Sequence, residues 1–203
     1  MVSVINPDTN RILVVGPSWV GDMVMAQSLF QVLSRQRPGV QIDVLAPGWS
    51  LPLLERMPEV ACGIDMPVGH GRLDLKARYR LGRFLAERGY TQAILLPNSL
   101  KSALVPFWAR IPKRTGWVGE MRYGLLNDIR RLDKTLLTMT VQRFVALAYP
   151  EGMAGIPEIP APELQVAAAD AHKAVSDLGL DRGDGGLLVL CPGAEYGPAK
   201  CWP

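Results

Sequence analysis

The sequence predicts an α/β fold, a Rossmann-like domain in which a parallel sheet carries helices on both faces. Three short apolar runs, at residues 11–15, 41–45 and 92–96, have the length and composition of buried strands. Longer stretches with apolar residues at helical spacing lie between them. Strands that alternate with helices of this length form βαβ units, and the strands of such units are parallel.

Each predicted helix has its own signal. The first runs from Asp22 to Arg35, where apolar residues recur every three or four positions. Residues 73–88 form a basic helix that ends at Gly89. After the strand at 92–96, the residues PNS form a turn that leads into a third helix within LKSALVPFWA. We expect the large aromatic residues nearby in the core: Phe107, Trp108 and Trp117.

The composition changes after Tyr149, which indicates a second domain. Residues 150–162 are rich in proline and glycine, as linkers are. Beyond them, the sequence predicts a helix at Val166 to Leu178 and a buried strand at Gly186 to Cys191. One strand and its loop cannot form a core. We therefore expect a domain at 1–149, a linker at 150–162, and the incomplete start of a second Rossmann-like domain at 163–203.

Charge and cysteine content narrow the class of protein. The formal net charge of +3 is too small to predict nucleic-acid binding, although it suits an anionic small-molecule or glycolipid partner. No apolar run approaches the roughly 18 residues of a membrane-spanning helix, and the N-terminus lacks the pattern of a signal peptide. Cys62, Cys191 and Cys201 are far apart and form no disulfide framework or metal-binding spacing. We expect a cytoplasmic protein without a metal.

The loop after the first strand, GPSWVGDM from Gly16 to Met23, resembles a phosphate-binding loop but lacks its chemistry. A P-loop requires lysine and then Ser or Thr after its second glycine, and this sequence has Asp22 and Met23 there. The N-terminus of a helix stabilises a carboxylate. In this fold the loop also faces the crevice where ligands bind. Asp22 is therefore a candidate functional group, and a simple helix cap is the alternative.

Dinucleotide binding does not fit the same loop. It requires G-x-G-x-x-G and an acidic residue at the end of the second strand. Ser18 occupies the position of the second glycine, and the second strand ends in Leu45-Ala46-Pro47. A nicotinamide or flavin enzyme is therefore not predicted.

Three segments resemble the lipopolysaccharide heptosyltransferases of glycosyltransferase family 9. They are GPSWVGDM, PNSLKSALVPFWARIPKRTGWVGEMRYGLLND and PGAEYGPAKCWP, in the order of that family and over nearly the whole chain. The resemblance implies a two-domain glycosyltransferase fold of the B type. The first domain would bind the acceptor, the inner core on lipid A. The second would bind the donor, ADP-L-glycero-D-manno-heptose, and the transfer would be inverting, with no cofactor and no metal.

The resemblance also implies roles for single residues. Asp22 matches the family's general base, which takes the proton of the acceptor heptose hydroxyl. Lys200 matches the lysine that contacts the donor diphosphate, where a point charge would stabilise the leaving ADP, and Gly193 lies in the same donor motif. Cys201 replaces the basic residue that usually follows this lysine, and the family's D-x-G-x-x-H donor motif does not occur in the sequence. We therefore expect a fragment that is inactive alone.

The candidate acceptor-binding residues lie on the loops that follow the strands at 11–15 and 92–96, and in the arginine-rich segment beyond. They are Ser18, Trp19, Gly21, Asn98, Ser99, Lys101 and Arg122. Lys101 suits an acceptor phosphate or a Kdo carboxylate, with a solvated surface lysine as the alternative. Arg122 belongs to a loose basic set that also fits a solvated face, and Trp19 fits either a sugar platform or the core.

Two other functions remain open at this point. One is a non-catalytic module that binds the lipopolysaccharide core. The other is a family 9 transferase that acts on a different anionic acceptor. An acceptor of this kind also suits peripheral contact with the cytoplasmic face of the inner membrane. The sequence predicts no oligomeric state.

Overall fold

The computed structural model describes residues 10–69, 72–152, 155–180 and 188–193, and its first unit is built on one parallel sheet. The strands are β1 (Arg11–Val15), β2 (Gln41–Ala46), β3 (Val60–Asp65), β4 (Gln92–Leu95), β5 (Lys113–Trp117) and β6 (Asp128–Arg130). Their order in the sheet is β3-β2-β1-β4-β5-β6, and every neighbouring pair is parallel. The predicted α/β class is confirmed.

Helices cover both faces of this sheet. They are α1 (Val20–Gln36), α2 (Leu51–Leu54), α3 (Leu75–Leu85), α4 (Leu100–Trp108) and α5 (Thr140–Ala146), and α6 (Ala168–Asp177) lies in the second unit. Ile12 and Val14 of β1 pack with α1 and α5 on one face, whereas Leu13 and Val15 pack with α3 and α4 on the other. Strands buried on both faces consist of continuous apolar residues, as the sequence of β1 does.

Some elements differ from the prediction. Residues 188–191 have no strand conformation, and the side chains of Leu188, Val189 and Leu190 are exposed. The predicted strand is wrong there because no strand in the described part of the chain pairs with these residues; residues 186–187 lie outside the described ranges. Phe107 is also exposed, contrary to expectation, whereas Trp117 is buried.

A segment within the predicted linker lies directly on α1. Ser28 donates a hydrogen bond from Oγ to the carbonyl oxygen of Pro160 over 2.7 Å, and Gln31 donates to that of Ala161 over 3.0 Å. The Gln27 side-chain amide accepts from the amide of Glu163 and donates to its carbonyl oxygen, over 2.9 and 2.7 Å. The chain divides into compact units at 165/166, so these contacts belong to the first unit.

None of the helices in the described ranges is long and apolar enough to cross a membrane.

Candidate functional site

The strand order creates a crevice between β1 and β4. From β1 the chain continues to β2 and β3 on one side of the sheet, and from β4 it continues to β5 and β6 on the other side. Open α/β sheets bind ligands at such a switch point, outside the carboxyl ends of the strands. The loops that follow β1 and β4 meet there. The amide of Gly16 donates to the carbonyl oxygen of Leu45 over 2.9 Å, and that of Leu96 donates to the carbonyl oxygen of Val15 over 3.1 Å. These bonds hold both loops at the sheet edge.

One part of this crevice, which we call the Asp22 cleft, has a volume of about 420 Å³. It contains four of the predicted site residues, which are Ser18, Trp19, Asp22 and Asn98. Three further polar residues in its wall were not predicted, and these are Lys134, Thr140 and Arg143. Trp19 is 45% exposed and is therefore not a core residue. The Asp22 cleft combines one carboxylate, two cationic side chains and three aromatic residues.

The carboxylate of Asp22 lies in the first turn of α1. In the described ranges no donor forms a hydrogen bond or an ion pair with it. A capping role requires a hydrogen bond from a backbone N–H of the first turn, and the structure has none to Asp22. The N-terminus of α1 nevertheless favours negative charge at this position. The carboxylate is thus half-exposed, stabilised by the helix, and available to a ligand.

The adjoining part of the crevice, which we call the Lys101 cleft, has a volume of about 280 Å³. Three predicted residues line it, namely Ser18, Ser99 and Lys101. Arg78 of α3 and Trp49 also contribute, and Trp49 donates from Nε1 to the carbonyl oxygen of Ser18 over 3.2 Å. Ser18 and Pro97 line both clefts. The predicted loops therefore line two adjoining clefts that share Ser18 and Pro97.

Arg122 lies beneath these clefts and lines neither of them. The residue is 2% exposed, and its guanidinium donates to the carbonyl oxygens of Pro97 over 2.8 Å and Trp117 over 2.6 Å. A longer bond, 3.4 Å, reaches Oδ1 of Asn98. Burial lowers the pKa of Arg122 from its ordinary value, and nearby Glu120 opposes the shift. Direct acceptor binding by Arg122 stays a prediction, and the contacts describe a residue that positions the Pro97–Asn98 loop.

A tight loop before Arg122, residues 119–121, contacts the loop that follows β4. A Cβ atom on Gly119 would lie 2.8 Å from the carbonyl oxygen of Asn98, so only glycine permits this approach. Glu120 and Met121 have φ angles of 39° and 50°, a left-handed conformation that non-glycine residues rarely adopt. Glu120 Oε2 accepts a hydrogen bond of 2.7 Å from the amide of Leu100 and thereby caps α4.

Because Glu120 supplies that cap, the side chain of Ser99 makes no capping bond although Ser99 is the N-cap residue of α4. Its hydroxyl lines the Lys101 cleft instead. Serine at a helix start normally caps the helix, and the absence of that bond leaves the predicted site residue Ser99 in the wall of the cleft.

The remaining predicted site residues are Gly21, Gly193 and Lys200. Gly21 is exposed, and a Cβ atom added to it would meet nothing within 4 Å, so no close approach requires glycine there. Gly193 is exposed in the second unit, and Lys200 lies outside the described residues. The donor-binding predictions for Gly193 and Lys200 therefore stay predictions. In the described ranges, no group of three or more His, Cys, Asp or Glu residues could hold a metal ion.

Lys134, Thr140 and Arg143 carry no sequence signal of function. Lys134 lies between β6 and α5, whereas Thr140 and Arg143 belong to α5 itself, and this part of the chain has no recognisable motif. Only the packing of α5 against α1 brings them to the loop after β1. Contacts of this kind are set by tertiary structure and cannot be obtained from residue spacing.

The parallel sheet, with its crevice at the carboxyl ends of β1 and β4, is the α/β fold of the B-type glycosyltransferases. The sequence profile of glycosyltransferase family 9 (heptosyltransferase) matches residues 78–203, and the chain belongs to this family.

Individual relatives agree with this assignment. The chain is 54% identical to lipopolysaccharide heptosyltransferase 2 of Salmonella typhimurium strain LT2 and 52% identical to that of Escherichia coli K12, over 95% of its own length and 57% of theirs. It superposes on the structure of the E. coli ADP-heptose lipopolysaccharide heptosyltransferase II with a TM-score of 0.83 and 49% identity, again over 95% of this chain and 57% of that one. The chain thus spans a little over half the length of the relatives it matches.

Proposed function

We propose that the complete protein transfers heptose from ADP-L-glycero-D-manno-heptose to the inner core of lipopolysaccharide, and that residues 1–149 form its acceptor-binding domain. The names of relatives that are 49–54% identical support the reaction and its two substrates. Residues 163–203 would begin the donor-binding domain, and residues 150–162 would be the linker. We propose a cytoplasmic location, with peripheral contact at the inner membrane where the acceptor lies.

The observation that carries this proposal is the carboxylate of Asp22, which has no partner in the described residues and faces a cleft at the switch point. The N-terminus of α1 favours negative charge at this position. Asp22 would accept the proton of the acceptor hydroxyl while that oxygen attacks the anomeric carbon of the donor. The glycosidic bond to ADP breaks on the opposite face, so the anomeric configuration inverts. No metal and no cofactor is proposed for this step.

The cationic side chains around both clefts would bind the acid groups of the acceptor. Lys134 and Arg143 line the Asp22 cleft, and Lys101 lines the Lys101 cleft. A lysine ammonium binds a carboxylate or phosphate as a point charge, which suits both Kdo carboxylates and lipid A phosphates. Trp19 would present an exposed apolar face to a sugar ring. Gly193 and Lys200 would contact the donor diphosphate.

A transfer assay with the complete reading frame tests the proposal. Purified protein is mixed with ADP-heptose and lipid A that bears the inner core, and both ADP release and the mass of the glycolipid are followed. We expect ADP release only when the core is present, together with a gain of one heptose on the glycolipid. Lipid A without the core is the matched control.

The same assay distinguishes the alternatives. Binding of the core without ADP release would support a non-catalytic binding module. Release of ADP with another anionic glycan, but not with the core, would support a family 9 transferase with a different acceptor.

A further inference from the structure

Helix α3 presents an exposed surface that the proposed reaction does not use. Six of its side chains form this surface, which we call the α3 face: Leu75, Lys76, Tyr79, Arg80, Arg83 and Phe84. At 100° per residue they occupy one half of the helix. Leu75 and Tyr79 lie along one border, Phe84 lies along the other, and the three cations lie between them. Leu75, Tyr79 and Phe84 are 51%, 49% and 58% exposed.

Positive charge is concentrated in this part of the chain. Residues 72–88 contain six basic and two acidic side chains, a balance of +4, whereas the whole protein has a net charge of only +3. The rest of the chain is therefore slightly acidic. One of the two acids, Asp74, accepts a hydrogen bond from the amide of Ala77 over 3.0 Å and caps α3.

The surface continues beyond α3 onto the end of α4. A shallow cleft of about 450 Å³ lies between them, and its lining is entirely aromatic and basic: Tyr79, Arg83, Phe107, Trp108, Arg110 and Arg114. Tyr79 contacts Trp108 edge to face at 5.6 Å between ring centroids, and the guanidinium of Arg114 lies 5.7 Å from the centre of the Phe107 ring. The aromatic side chains are thus held in place at the surface.

The α3 face has a fixed position beside the Lys101 cleft. On the buried side of the helix, Arg78 lines that cleft and donates from Nη1 to the carbonyl oxygen of Lys101 over 3.3 Å. A Cβ atom on Gly82 would lie 2.7 Å from Cβ of Trp108, so α3 and α4 are packed in close contact. Whatever binds the α3 face is therefore held next to the predicted acceptor site.

We propose that the α3 face docks the protein on an anionic phospholipid bilayer. This inference rests on the proposed function, because a glycolipid acceptor has to be reached at the membrane surface. Basic residues near an anionic leaflet are attracted electrostatically, and exposed aromatic rings partition into the interface between headgroups and acyl chains. The arrangement of cations between apolar borders fits a bilayer surface, since it offers both interactions over one continuous surface.

Vesicle sedimentation tests this inference without donor or acceptor, so its result is independent of heptose transfer. The 203-residue chain is mixed with vesicles of phosphatidylethanolamine and phosphatidylglycerol, or with vesicles of phosphatidylcholine alone. We expect binding to the anionic vesicles only, and weaker binding as salt is added. The variant Lys76→Glu/Arg80→Glu/Arg83→Glu should bind at least about 100-fold less tightly, since each basic residue contributes roughly fivefold.

The matched control reverses three exposed cations elsewhere, in Arg35→Glu/Arg131→Glu/Lys173→Glu, with the same change in net charge. Binding that falls equally in both triple variants would overturn the proposal, as would equal binding to phosphatidylcholine or no binding at all. Hydrogen exchange of the parent chain gives a second readout that does not depend on any variant. Anionic vesicles should slow exchange in residues 75–85 and leave residues 20–36 unchanged; the absence of protection in α3 would also overturn the docking surface.

Discussion

The buried guanidinium of Arg122 donates a hydrogen bond of 2.8 Å to the carbonyl oxygen of Pro97, which lines both clefts together with Ser18. A second bond, to the carbonyl oxygen of Trp117, connects the same side chain to the end of β5. The loop that carries Asn98 and Ser99 is thus positioned from inside the protein. A buried side chain that lines neither cleft thus contributes to the shape of the crevice.

Replacing Arg122 with alanine should therefore destabilise the first unit. The change removes the guanidinium donor from the carbonyl oxygens of Trp117 and Pro97, although Pro97 keeps a longer hydrogen bond from Ser102 Oγ. A buried acceptor that loses its donor costs about 1–3 kcal/mol. We expect the free energy of unfolding in urea to fall by about 2–4 kcal/mol. The control is Arg131→Ala, at an exposed arginine. This variant should change the free energy of unfolding by less than about 0.5 kcal/mol. Equal small effects from the two variants would show that Arg122 is not a positioning residue.

Gly119→Ala tests the close approach of the neighbouring loop. Its Cβ atom would lie 2.8 Å from the carbonyl oxygen of Asn98, and such overpacking costs about 1–3 kcal/mol. Gly21→Ala is the control because its Cβ atom meets nothing within 4 Å. Within α1, alanine is favoured over glycine by up to about 1 kcal/mol. The melting temperature should therefore fall in Gly119→Ala and rise in Gly21→Ala. A change in the same direction in both variants would contradict the steric argument.

The sequence was sufficient for the centre of the fold and insufficient for its edges. The first strand was predicted with its observed bounds, because Ile12 to Val15 are apolar on both faces. Strand β5 begins with Lys113 and Arg114, and β6 has only three residues. Such strands lack the apolar pattern that identifies buried ones. Their position is set by pairing with β4 and with each other.

The candidate site, like the fold, could be predicted only in part from the sequence. Ser18 and Asn98 lie on the loops after β1 and β4, and Asp22 lies in the first turn of the next helix. The rule that ligands bind at strand ends was therefore enough to place them in one crevice. Lys134 and Arg143 come from a distant segment that α5 brings to the crevice by packing against α1. Arg122 was predicted from its charge alone, which gives no information about burial.

The contacts between α1 and residues 160–163 predict that this segment is ordered. Gln27 bonds to both the amide and the carbonyl oxygen of Glu163. In Gln27→Ala the amide of Glu163 should exchange with solvent about fivefold faster, because one hydrogen bond contributes about 1 kcal/mol. Gln36→Ala, at an exposed residue of α1, should leave that rate unchanged. An unaltered rate in Gln27→Ala would mean that other contacts hold the segment.

The carboxylate of Asp22 can be tested in the protein completed with its donor domain. Asp22→Asn keeps the size of the side chain and removes its charge and its ability to accept a proton. General-base catalysis typically contributes about 10²–10⁴-fold, so kcat should fall by that factor while acceptor binding changes little. Asp22 makes no hydrogen bond or ion pair in the described residues, so the melting temperature should stay within a few degrees of the parent value. A variant that melts normally and transfers heptose near the parental rate would exclude Asp22 as the base, whereas a stable variant with the expected loss in kcat would support that role.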